Sequence, residues 1–129
     1  MNLFFTQWTA NPANAELNRK IRAKHKGCIP VIVSPYTDLE PKIKKYKFIA
    51  NLDTTLCQLM YVVRKYIELG SDEALFLYIL SFDRITCEYS RTVMEPLSKT
   101  IGQVEAMHSA DGFLYVMYAK ESVFGAPPT

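Results

Sequence analysis

With 129 residues, 49% of them apolar, the chain is long enough for one domain whose hydrophobic core needs neither metal nor disulfide staples. Its three cysteines, Cys28, Cys57 and Cys87, are odd in number and never form a Cys-x-x-Cys pair, which argues for reduced cytosolic thiols and against zinc or a disulfide framework. The formal net charge of +2 is small, but basic residues concentrate between Arg19 and Lys26 and again at Lys42, Lys44, Lys45 and Lys47, so two local patches matter more than the total.

The chain opens on Met-Asn-Leu-Phe-Phe with no basic leader and no apolar core of signal-peptide length, and a cytoplasmic location is expected. No apolar run approaches the roughly 20 residues of a membrane-spanning helix. Membrane attachment is therefore expected to come from a partner or a covalent lipid. Ala13 to Lys26, behind Asn11-Pro12, carries helix formers with a stripe through Leu17, Ile21 and His25, predicting an amphipathic helix that closes before Gly27. Cys28 to Val33 is a β-branched run predicting a strand in which Pro30 lacks a ladder donor, ended by Ser34-Pro35. Tyr36 to Lys45 reads as a connecting loop, and Tyr46 to Ala50 as a half-exposed strand.

Asp53 stands where a helix N-cap is expected, and Leu56, Leu59, Met60, Val63 and Ile67 follow at helical spacing, with an end near Leu69-Gly70. Ala74 to Leu80 predicts a buried strand. Ser81 to Ser98 is mixed and polar and reads as a long loop, Lys99 to His108 as a short helix, and Phe113 to Tyr118, behind the turn Asp111-Gly112, as the last strand. The order helix, two strands, helix, strand, helix, strand predicts an α+β fold: a ubiquitin-like β-grasp, with a mixed four-stranded sheet packed on one side by a long crossover helix, plus an N-terminal helical extension. Ferredoxin-like and other α+β sandwiches share parts of this pattern.

The final strand runs into Val123-Phe124-Gly125 and then Ala126-Pro127-Pro128-Thr129. An extended Gly can thread a narrow cleft and leave its carboxylate open to activation, so Phe124-Gly125 reads as a recognition and cleavage site; a frayed terminus is the alternative. Catalytic machinery of the chain's own is not expected. His25 and His108 lie in no nucleophile motif, and there is no phosphate loop, His-Glu-x-x-His or calcium-loop pattern, so neither cofactor nor metal is expected. Nucleic acid is not expected as a partner either, because Phe76, Tyr78, Phe113, Tyr115 and Tyr118 fall in strands that read as core rather than as exposed stacking platforms.

Lys20-Ile21-Arg22, Ile29-Pro30-Val31-Ile32-Val33, Arg64-Lys65 with Ile67 and Leu69, Ala74-Leu75-Phe76, Ile101-Gly102-Gln103, and Asp111 to Tyr118 ending in Phe124-Gly125 together resemble, in order and spacing, the autophagy ubiquitin-like modifiers that include GABARAP and microtubule-associated light chain 3. The resemblance implies a non-enzymatic protein divided into an extension (1–27), a ubiquitin-like domain (28–125) and a tail (126–129) removed by a cysteine protease. Activating and conjugating enzymes would then join Gly125 to phosphatidylethanolamine on autophagosomal membranes, and the two acyl chains would supply the anchor. It also implies that receptors and adaptors dock short aromatic-x-x-aliphatic motifs as an added strand.

The aromatic pocket would comprise Ile21, Pro30, Ile32, Lys47, Ile49 and Phe113, and the aliphatic pocket Ala50, Asn51, Thr54, Leu59 and Val62, with Phe48 and Arg64 also on the docking surface. The chain departs from the family pattern at Asn51, where proline is expected, at Ala50 and Thr54, which are smaller or more polar, and at Leu17, Cys28 and Tyr66. A non-conjugated ubiquitin-fold interaction module, associated with microtubules through its basic N-terminal helix, is the alternative function.

Overall fold

The computed structural model describes residues 3–120. In chain order its elements are α1 (Leu3–Ala10), α2 (Ala13–Lys24), β1 (Cys28–Pro35), β2 (Lys47–Asn51), α3 (Leu56–Arg64), β3 (Phe76–Asp83), β4 (Glu88–Val93), α4 (Ile101–His108) and β5 (Leu114–Ala119). The strands form one mixed sheet in the order β2-β1-β5-β3-β4, with β1 and β5 parallel and the remaining pairs antiparallel. The ubiquitin-like arrangement holds, but the sheet has five strands rather than four.

Both sheet faces are covered, not one. Ile29, Val31 and Val33 of β1, Leu77 and Ile79 of β3, and Leu114, Val116 and Tyr118 of β5 pack with Leu56, Leu59 and Val63 of α3 and with Ile101 and Val104 of α4. The alternate residues Ile32, Tyr78, Leu80, Tyr115 and Met117 join Phe5, with Trp8 and Leu17 packed against them. Burial on both faces is why the three central strands read as unbroken apolar runs.

The fifth strand, β4, lies inside the segment expected to be a loop. As an edge strand it buries only Tyr89, leaving Ser90 and Arg91 in solvent, so it lacks the apolar run that marks the central strands. Its hairpin turn uses the Asp83 carboxylate as acceptor for the Ile85 N–H at 2.9 Å, and Cys87 takes a positive φ of 59°.

Helix α1 was also unexpected from periodicity, since Leu-Phe-Phe-Thr-Gln-Trp-Thr-Ala has no clean apolar stripe. An eight-residue helix is marginal alone and depends on packing. Complete burial of Phe5, edge-on to Tyr115 at 5.2 Å, contributes roughly 1.5–3 kcal/mol to that docking. Helix α2 stops where expected, because Gly27 turns the chain at φ +76°.

Helix α3 begins later and ends sooner than its periodicity predicts. Thr55, not Asp53, is the N-cap: its hydroxyl accepts from the Gln58 N–H while the Gln58 side chain accepts from the Thr55 N–H. The Asp53 N–H instead donates to the Asn51 side chain at 2.9 Å. At the other end, Lys65 and Tyr66 close i→i+3 turns onto Val62 and Val63, and the Tyr66 carbonyl accepts from Lys44. The chain then bridges Ile67 to Ile43, so Leu69-Gly70 lies beyond the helix. Thr100 and Gln103 repeat the same capping box on α4, and a Thr55–Thr100 bridge ties the two helix starts together.

Candidate functional site

β2 ends the sheet, and no described strand pairs with its outer edge. Along it, Lys47 is half-buried, Phe48 and Ala50 point inward, and Ile49, 42% exposed, and Asn51 point outward. The register sets Ile49 opposite Pro30 and Lys47 opposite Ile32, and cross-strand partners share a face. The residues expected to form the aromatic pocket thus gather on the face that carries Phe113, Phe5 and Trp8. Ile21, also expected in that pocket, is a buried residue of α2.

Two of these residues are fully buried: Ile32 is 0% and Phe113 1% exposed. Phe113 is positioned by Asp111, whose Oδ1 accepts the Phe113 N–H at 3.1 Å and the Tyr89 hydroxyl at 2.8 Å, while Oδ2 accepts the Tyr115 hydroxyl. Burial pushes the Tyr89 hydroxyl up to about 12 and, with the Asp111 carboxylate beside it, raises that of Tyr115 further. Both phenols therefore stay neutral donors. Gly112, at φ +86°, completes the turn, and a Cβ there would meet the Asn18 side chain at 2.6 Å.

The residues expected for the aliphatic pocket are not all presented. Val62 is 38% exposed and Thr54 half-buried, whereas Ala50 and Leu59 are core side chains of the α3 face. Phe48 is core as well, edge-on to Tyr66 at 5.4 Å with the Lys45 ammonium 4.9 Å above its ring. Inward residues of β2 offer a peptide only their backbone. Arg64 is engaged elsewhere, donating to the Glu73 carbonyl at 3.0 Å and so closing the α3–β3 connection. Leu52 and Tyr61 are exposed apolar residues that sequence reasoning did not single out. Their exposure follows from which turn of the chain they occupy, which periodicity around Leu59 and Val63 could have indicated for Tyr61.

Two other arrangements bear on chemistry. Ser81, His108 and Glu95 form a relay, Oγ to Nδ1 at 2.8 Å and Nε2 to Oε1 at 2.8 Å. Ser81 is buried within β3, so its hydroxyl gives no access to a substrate carbonyl, and the relay ties the end of α4 to the sheet. In the basic helix, Arg22 donates to Glu105 and to the Gly112 carbonyl, so part of the patch expected to meet a partner is used internally. Among the described residues no helix is long and apolar enough to cross a membrane. Phe124 and Gly125, the expected recognition and cleavage residues, lie outside the described residues.

A family model described as autophagy protein Atg8 ubiquitin like matches residues 14–125. Autophagy-related protein 8a of Arabidopsis thaliana is 32% identical over 121 residues, covering 91% of this chain and 90% of that protein. Autophagy-related protein 8e of the same plant is 35% identical over 109 residues, covering 83% and 80%. Among solved structures, that of Trypanosoma brucei ATG8 superposes with a TM-score of 0.70 at 26% identity, covering 88% of this chain and 90% of that one.

Proposed function

The chain belongs to the Atg8 family of ubiquitin-like autophagy proteins, and from that premise we propose that it is a conjugatable modifier, processed after Gly125 and joined through the freed carboxylate to phosphatidylethanolamine. The observation that carries this reading is that the family match ends at Gly125. In this reading a cysteine protease removes 126–129, recognising Phe124, and activating and conjugating enzymes carry Gly125 as adenylate and thioester before the amide forms. The chain supplies no catalysis and no cofactor. Two acyl chains then give stable anchoring to autophagosomal membranes, where one would be marginal.

The second half of the proposal is docking. The open edge of β2 accepts an extended motif as an added strand, and the face formed by Ile21, Pro30, Ile32, Lys47, Ile49 and Phe113 takes its aromatic side chain. Val62, Thr54 and Asn51 take the aliphatic side chain, with less apolar area than the family pattern implies. At roughly 25 cal/mol per Å² buried, that lowers the gain per ligand side chain and shifts preference among motifs.

Conjugation is tested with wild type and Gly125→Ala expressed in starved cells, followed by membrane fractionation and intact mass. The expected wild-type species on membranes ends at Gly125 and carries one phosphatidylethanolamine, while Gly125→Ala stays unlipidated and off the membranes. A wild-type chain that retains Thr129 in every fraction, or a Gly125→Ala chain lipidated as well as wild type, would sink the reading.

A further inference from the structure

Helix α1 sets Trp8 against Phe113 of the proposed aromatic pocket, and we propose that it is an internal strap whose Trp8 indole takes the place of a motif peptide's aromatic side chain. The inference rests on the docking reading and names how that site is regulated: a peptide must expel Trp8 to bind.

The geometry is direct. Trp8 stands edge-on to Phe113 with ring centroids 5.6 Å apart and edge-on to Tyr46, the residue preceding β2, at 6.1 Å. Phe113 is the pocket floor, and the chain's own rings account for its burial. A second aromatic side chain entering from solvent would occupy the volume that the indole fills.

The closed strap is built to open. The Trp8 indole N–H is buried and closes no hydrogen bond of good geometry, and the Tyr115 hydroxyl on which it acts is already committed to Asp111. A buried donor without an acceptor destabilises the state that contains it, and release to water removes that cost. Helix α1 has no acidic residue in its first turn and no basic residue in its last, so its dipole is uncompensated. Phe4, 36% exposed, borders a cavity of about 530 Å³ shared with Val33, Pro35, Ile43 and Tyr46.

The far end of the strap is tethered. The Trp8 carbonyl accepts from the Asn11 N–H at 3.1 Å and from the Asn14 side chain at 2.6 Å, which joins α1 to α2 across Asn11-Pro12. Opening is therefore a swing about that joint rather than loss of the whole extension. Apparent affinity for a motif is reduced by the fraction of molecules in which the strap is open.

Trp8 is the only tryptophan in the chain, so its emission reports on the strap without a label. The experiment titrates full-length protein with a synthetic Glu-flanked Phe-x-x-Leu peptide lacking Trp, and with its Ala-x-x-Ala counterpart, reading Trp8 emission and affinity together; Trp8→Ala and Trp8→Phe proteins are titrated calorimetrically. The expected result is a saturable red shift of Trp8 with the Phe peptide alone, about tenfold tighter binding to Trp8→Ala, and near-wild-type affinity for Trp8→Phe. Saturable binding with unchanged Trp8 emission overturns the strap while leaving the docking site intact, as does Trp8→Ala binding no tighter than wild type. Binding to neither wild type nor variants overturns the docking reading and the strap with it. Should Trp8→Ala fail to fold by circular dichroism, the wild-type emission titration decides alone.

Discussion

At the scale of single residues, polar anchors fix the apolar ones in place. Glu95 accepts from His108 and pairs with Lys99 at 3.5 Å, and the His108 hydrogen bond is the main reason its carboxyl is held below the usual carboxylate range. A carboxyl with a lowered folded pKa contributes stability that is fully present above its unfolded value, near 4.5, and is lost as pH falls through the depressed one. Glu95→Gln is therefore expected to flatten the acid limb of stability below about pH 4.5, measured by urea midpoints between pH 2 and 7, with the protein less stable than wild type at pH 7. An unchanged acid limb would show that the pair is not coupled to folding. The Ser81–His108 contact was invisible in the sequence because its partners stand 27 residues apart, whereas Pro30, Ile32, Lys47 and Ile49, expected at the docking surface from family resemblance, are paired across β1 and β2.

At the scale of elements, strong local signals and weak ones separate cleanly. Strands β1, β3 and β5 were legible because both faces are apolar, and α2 because Gly27 marks its end. The start of α3 was misread because Asp53 and Thr55 are both good caps, and only the reciprocal bonds of Thr55 with Gln58 decide between them. Helix α1 and strand β4 were not legible: one relies on tertiary packing of Phe5 and Trp8, the other on pairing with β3. Because the α3 and α4 caps bridge each other, Thr55→Ala is expected to cost about 1 kcal/mol, lowering the thermal midpoint by roughly 4 °C, as followed by circular dichroism. No change in midpoint would mean that Asp53 or water satisfies the helix start equally well.

At the scale of the whole molecule, two layers of helix around one sheet leave the outer edge of β2 without a described strand partner, and the proposed docking surface runs along that edge between the α1–α2 face and α3. Trp8 stands edge-on to Phe113, so in the proposed strap docking and the position of the N-terminal extension form one equilibrium. The burial of Phe113 beneath Trp8 could not be foreseen from family resemblance, because it depends on how the short helix α1 packs. The most direct test of this docking surface is an amide chemical-shift titration of the full-length chain with an aromatic-x-x-aliphatic peptide. The expected result is saturable change at Lys47, Ile49 and Phe113 along the β2 edge, and changes confined to residues 82–96 around β4 would contradict it.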